Sequence, residues 1–496
     1  MNKSNLKSII ALIIICVIIS ATALGISMYS KGQTPISTLN NRFKFDMSNW
    51  NYDEVNNIYY KMNVEYCKNS EKEKNEVFEI YVPGEYLIGE KNENGTYNCS
   101  INSKGKKSIF TQKNAPIIIP IEEKEEIEQL PHEKYNYEEV LKYTSEGYIY
   151  IWPGYRGLKE NEIAETDEKY GKAVIDGITD LKALVRFYRF NKDMLPGNID
   201  KILVFGQNEG GIKSALLGAS GDSGLFYTPL ISIGAVMEYQ DGSSISDGIN
   251  GTMCSSLTND TDMFKKSHSW FIEQHLTNDD SQLSTIRDEV IRYAGYLNNL
   301  KLKSEDGTLL YLIDSANQQT YTNGTYYNYI IAELEKVINI FLKNTTFPYF
   351  NENTQVTYIS AKEYIDSLNT KTKWILYDDS TNTVKITKIS DFANYYNYKK
   401  QSKQRITQNQ YNLYYYLSNK YGGKGNLSVS RYWNIYTMFD DKCSSFINDE
   451  NIKLLLQNNE DVRKIVYNCI WAKDYTEKEK NEFIFNNFKS WVKSCY

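Results

Sequence analysis

At 496 residues the chain is too long for one minimal domain and suits one large domain with insertions, or two domains. Hydrophobic residues make up 41% and charged residues 24%, so a real core can form and disorder is excluded. The net charge of -6 gives no footprint for nucleic acid, and the seven cysteines show neither a CxxC nor a zinc spacing, so no metal and no cofactor is expected.

The chain opens on Lys3 and Lys7, then an apolar run from Ile9 to Met28, then Lys31. The run is about 20 residues long, enough to span a bilayer as a helix. Its Ile-rich part also suits a signal-peptide core, and Ala21-Thr22-Ala23 offers a small-x-small cleavage site. Residues 1–31 therefore read as a signal peptide or a single-pass anchor. Either one places the rest of the chain outside the cytoplasm, secreted or tethered to the membrane by its N-terminus. Disulfides are permitted there, and Cys67 with Cys99, or Cys469 with Cys495, would be the pairs. Free buried thiols are the equal alternative.

Residues 32 to about 130 read as short strands. Glu76 to Pro83 alternates in the strand manner and stops at Pro83-Gly84, and Ala115 to Ile121 is a second apolar strand. A third runs from Gly147 to Trp152. Val174, Ile178, Leu181, Val185 and Tyr188 recur at three- and four-residue steps and predict a helix. Lys201 to Phe205 is a short apolar run of the buried parallel kind, followed by a sharp turn and a helix over Ile212 to Leu217. Strand–helix alternation implies a mostly parallel sheet with crossover helices. From 238 to 430 the pattern loosens into a mostly helical insertion, a cap, with helices around Ile331–Phe341 and Tyr411–Tyr416. The core, begun over 32–237, resumes over 431–496 with strands at Tyr432–Phe439 and Ile465–Trp471 and helices at Ile452–Leu456 and Phe483–Val492.

The turn after the Lys201–Phe205 strand reads Gly206-Gln207-Asn208-Glu209-Gly210. Strand, Gly-x-Ser-x-Gly and helix form the nucleophile elbow of α/β-hydrolases, and every part but the serine is present. Four stretches resemble the bacterial tannase and feruloyl-esterase-like branch of that superfamily. Phe78 to Pro83 is similar to its "NIYVP" strand, and Gly147 to Gly157, GYIYIWPGYRG, is similar to its "PGxRG" oxyanion loop. Asp176 to Asn191 with Phe205 to Ser223, FGQNEGGIKSALLGASGDS, is similar to a stretch in which that branch writes serine where Asn208 stands. The fourth stretch is Trp433 to Trp491. The resemblance implies an α/β-hydrolase fold. It also implies an acid after the Tyr432–Phe439 strand, where Cys443 falls two places past Asp441, and a histidine near the last strand, where Tyr475 falls.

A serine nucleophile needs a hydroxyl, a base and an orienting acid. An amide is no nucleophile, and none of the three histidines, His132, His268 and His275, lies after Leu276. The vestigial triad Asn208, Cys443 and Tyr475 thus predicts a catalytically inactive homologue. Its oxyanion-type donors would be the N–H groups of Glu209 and Tyr155, able to hold an ester or carboxylate ligand. A competing reading keeps ester hydrolysis through a relocated nucleophile, Ser214 or Cys443, with His268 or His275 as base. A third is a plain structural protein at the cell surface. His132 is expected to precede the sheet as a surface or packing residue.

Overall fold

The computed structural model describes residues 42–68, 75–122, 128–159, 167–255, 257, 266–267, 269–270, 283–315, 321–352, 354–369, 373–387, 409–418, 427–439, 446–471 and 476–495. The apolar segment at 1–31 lies outside them. Among the described residues no helix is long and apolar enough to cross a membrane.

Nine strands form one sheet: β1 (Asn51–Asp53), β2 (Ile58–Glu65), β3 (Val77–Pro83), β4 (Ile117–Ile121), β5 (Ile149–Pro153), β6 (Ile202–Gly206), β7 (Gly251–Ser255), β8 (Tyr432–Phe439) and β9 (Lys464–Trp471). Their spatial order is β1-β2-β3-β5-β4-β6-β7-β8-β9. The first three pair antiparallel, and β3 pairs antiparallel with β5. From β5 to β9 every pairing is parallel. Helices follow in chain order: α1 (Tyr137–Thr144), α2 (Asp167–Phe190), α3 (Asn208–Ala219), α4 (Tyr227–Ser232), α5 (Leu283–Leu300), α6 (Thr325–Asn344), α7 (Ala361–Leu368), α8 (Leu413–Leu417), α9 (Phe446–Gln457) and α10 (Glu477–Ser494).

The central strands are unbroken apolar runs because helices cover both faces of the sheet. Ile117, Ile118, Ile149, Ile151, Ile202, Leu203 and Val204 are all fully buried. β4 carries Pro120, which can donate no ladder hydrogen bond. Its pairing with β5 stops at Ile118, while its pairing with β6 continues to Ile121. The carboxyl ends of β4 and β5 therefore part. α10 starts at a capping box, with Glu479 N–H donating to Thr476 Oγ1 and Thr476 N–H to Glu479 Oε2.

One sequence expectation is corrected here. β7 falls inside the stretch assigned to the cap, so the sheet core extends to Ser255. Gly251-Thr252-Met253-Cys254-Ser255 is short and only weakly apolar, yet β6 and β8 flank it and all five residues are buried. The segment between β7 and β8 is not purely helical. It holds the hairpins Tyr349–Asn351 with Val356–Tyr358 and Ile375–Asp378 with Thr383–Ile386. Its helix α6 buries Tyr326, Ile330, Leu334, Val337, Ile338 and Phe341 at helical spacing.

Tyrosines fix that segment to α9. Tyr326 donates to Asn451 (2.7 Å), Tyr329 to Glu450 (2.7 Å) and Tyr414 to Asn448 (2.9 Å). Each hydroxyl gives a buried side-chain oxygen a hydrogen-bond donor, and at Glu450 it adds to the Lys453 ammonium at 3.3 Å. Neither expected disulfide is present: Cys67, Cys99, Cys254, Cys469 and Cys495 are all free thiols. Burial pushes the Cys99 and Cys495 thiols up to about 12, so both are poor nucleophiles at neutral pH.

Candidate functional site

In an open parallel sheet, ligands bind beyond the carboxyl ends of the strands. β6 delivers the chain to that edge at Gly206. Gln207 is extended (φ -117°, ψ 153°), and Asn208 begins α3 directly, four residues earlier than the apolar pattern predicts. The helix is closed at once by Gly211 N–H donating to Gln207 O at 3.0 Å. Asn208 and Glu209 are described by their backbone alone. Both lie in the first turn, whose N–H groups find no carbonyl within the helix and face the site with the positive end of the dipole.

Three glycines make this turn, each for want of space. A Cβ on Gly206 would stand 2.4 Å from the Gly210 carbonyl. One on Gly210 would stand 2.5 Å from the carbonyl oxygens of Ile121 and Glu122, at the exit of β4. One on Gly211 would stand 2.5 Å from Ser255 O, at the exit of β7. The elbow is thus wedged between the ends of its two neighbouring strands. Gly210→Ala is expected to cost about 1–3 kcal/mol, as overpacking against rigid backbone does. Chemical denaturation of the purified variant checks this, and an unchanged midpoint contradicts the wedge.

The expected second oxyanion donor is corrected. The PGYRG loop follows β5, which β4 separates from β6. The N–H of Tyr155 donates to Gln129 O at 3.0 Å, and Tyr155 O accepts from Gln129 N–H at 3.1 Å. That N–H is committed to a bridge and serves no ligand. The loop beside β6 starts at Glu122, whose N–H donates to Gln129 Oε1 at 2.9 Å. Gln129 Nε2 in turn donates to Pro153 O at 2.8 Å. A buried Gln129 thereby bridges the parted ends of β4 and β5. The rest of PGYRG is a structural clamp: Arg156 Nη2 meets Asp180 Oδ1 of α2 at 2.7 Å, and Nε meets Oδ2 at 2.9 Å. Glu76 stands 3.4 Å from the same Nε. A Cβ on Gly154 would meet Asn75 O at 2.3 Å. The motif holds the loop down through Arg156, Gly154 and the Tyr155–Gln129 bridge.

Ser214 is corrected as well. It is fully buried rather than on the helix surface, and its hydroxyl donates to Gly210 O at 2.8 Å, back along α3. In this position the hydroxyl is engaged by the backbone of its own helix. One turn past the elbow, Lys213 is also buried, with its ammonium 5.7 Å from the Tyr155 ring centroid.

Cys443, Asp441, Tyr475, His268 and His275 lie outside the described residues. The strands that lead to the first three are described. β8 and β9 run parallel in register from Tyr432↔Lys464 to Phe439↔Trp471, so the chain leaves both at the edge where β6 leaves Gly206. His132 does not precede the sheet. It sits on the loop after β4, at the same edge, paired with buried Glu79. No local sequence signal shows that pairing, because 53 residues separate the partners. Among the described residues no group of His, Cys, Asp and Glu is arranged to hold a metal.

No family model matches the sequence, and no curated protein matches it. Solved structures do. A tannin acyl hydrolase in complex with ethyl gallate is 19% identical, with a TM-score of 0.60, over 92% of this chain and 100% of that one. The native tannin acyl hydrolase of Lactobacillus plantarum is 18% identical, with a TM-score of 0.60, over 92% and 99%. The tannase of Fusobacterium nucleatum is 22% identical, with a TM-score of 0.57, over 91% and 99%. The chain has a tannase-like α/β fold along nearly its whole described length.

Proposed function

We propose that this protein is a tannase-like hydrolase-fold protein whose covalent route is closed. It acts outside the cytoplasm as a binding protein for an ester, a carboxylate or a protein partner. The observation that carries this reading is Asn208 at the head of α3, in a turn whose three glycines keep the elbow's backbone without its hydroxyl. A helix N-terminus opening on the carboxyl edge can hold an anionic or ester oxygen with no nucleophile present. Export rests on the basic-flanked apolar run at residues 9–28.

Ethyl gallate, the ligand of one structural neighbour, supplies the test. The purified protein is expected to release gallate no faster than the backbone donors alone allow, roughly a thousandfold over water. The ester is recovered intact from the mixture. Turnover at ordinary enzyme rates that survives Asn208→Ala overturns the reading and points to a nucleophile elsewhere.

A further inference from the structure

Glu79 lies in the middle of β3, fully buried, and a buried carboxylate persists only where donors and a counter-charge surround it. Most of that surrounding comes from one residue. His132 donates its backbone N–H to Glu79 Oε1 (2.5 Å), and its Nδ1 stands 2.9 Å from Oε2. The Tyr81 hydroxyl donates to the same Oε2. The imidazole packs against Trp152 of β5 at a tilt of 37°, with centroids 4.3 Å apart. Its other nitrogen, Nε2, faces Glu139 Oε2 of α1 at 3.8 Å, and Glu139 accepts from Tyr150 of β5 (2.7 Å). Glu122, at the exit of β4, adds a third negative charge nearby.

We propose that His132 is a proton-controlled latch, which docks the loop leaving β4 onto the buried carboxylate of Glu79. Protonated, the ring is a cation between the two carboxylates, donating from Nδ1 to Glu79 with Nε2 at ion-pair distance from Glu139. Deprotonated, it leaves two carboxylates facing each other across a neutral ring, and the loop keeps only the His132 main-chain N–H and an uncharged ring contact to Glu79. The same loop carries Gln129, which holds the N–H of Glu122 and bridges Pro153 and Tyr155. Loosening it frees the main-chain N–H of Glu122 at the carboxyl edge beside the elbow. The device therefore controls the wall of the site, whether the site cleaves or only binds.

The hydrogen bond to Glu79 raises His132 above the ordinary imidazole value. It does so against the ring's partial burial, with Glu79, Glu139 and Glu122 adding to the rise. The folded-state value thus exceeds that of the unfolded chain. The latch contributes fully below the unfolded value of about 6.5 and is lost as pH rises through the folded value.

Hydrogen exchange of the full-length protein at about pH 5.5 and about pH 8.5, corrected for intrinsic rates, tests this. Protection over residues 128–136 is expected to fall by about tenfold at the higher pH. The change should stay within this loop and the start of α1. In His132→Gln, which can donate to Glu79 but cannot ionise, protection should become independent of pH. Equal protection of the wild-type loop at both pH values overturns the proposal and requires no variant. The same pH dependence in His132→Gln overturns it equally.

Discussion

Asp247→Ala is expected to destabilise the protein by about 3–5 kcal/mol, the cost of leaving buried charges without their partner. Asp247 is buried in the loop before β7 and meets two cations of α2. Lys182 Nζ lies 2.7 Å from Oδ1 and Arg186 Nη2 lies 2.6 Å from Oδ2. Lys182 is fully buried and Arg186 nearly so. The main-chain N–H of Asp222 also donates to Oδ1 at 2.8 Å, and Lys182 donates to Ser220 O at 2.7 Å. The carboxylate thus ties α2 to the chain after α3. Burial works to raise the Asp247 carboxyl, but Lys182 and Arg186 outweigh it and hold it below the ordinary range. With a depressed folded value, its contribution is present above the unfolded value of about 3.9 and lost as pH falls through the folded one. The wild type should therefore lose stability in that acid window, and Asp247→Ala should lose less there. Urea midpoints at neutral pH and at about pH 3 check both statements. An unchanged neutral midpoint would show that the cations find other partners.

Asn208→Ser alone is expected to leave the protein without ester turnover. The change restores a hydroxyl at the head of α3, but an unactivated serine is a poor nucleophile. The only described histidine, His132, has its Nδ1 engaged by Glu79. The triple variant Asn208→Ser, Cys443→Asp and Tyr475→His is expected to recover a trace, because the first turn of α3 leaves main-chain N–H groups without carbonyl partners inside the helix. Catalytic groups acting as a unit return little when restored singly. Steady-state hydrolysis of an aryl ester by both variants checks this. Turnover by the single variant would reveal a base within reach of residue 208, with His268 and His275 the first to replace.

What could be read from sequence followed from local physics. The run Lys201 to Phe205 and the glycines after it mark a buried parallel strand and a tight turn, and both are where the pattern puts them. Of the α6 stripe read at Ile331, Leu334, Ile338 and Phe341, the last three are buried, while Ile330 rather than Ile331 enters the core. Spatial order was not legible. PGYRG looks like an oxyanion loop because it follows a strand, but β5 lies on the far side of β4 from β6. Only that order shows that Glu122, the first residue of the acidic run Glu122-Glu123-Lys124-Glu125-Glu126, is the residue beside the elbow. β7 was missed because its burial comes from neighbours distant in sequence, with Cys254 the register partner of Ile435. The Glu79–His132 pair and the inward turn of Ser214 are likewise tertiary facts. Ser214 shows no sequence difference from a surface serine until Gly210 is seen to accept its hydrogen bond.

The central claim, that no covalent acyl route exists, is tested most directly by the intact mass of the protein after exposure to a fluorophosphonate and to an activated aryl ester. Each forms a stable or slowly hydrolysed adduct on any activated serine or cysteine. The account predicts an unshifted mass with both reagents, under conditions that fully label an active esterase. A stoichiometric adduct, wherever in the chain it maps, would contradict it.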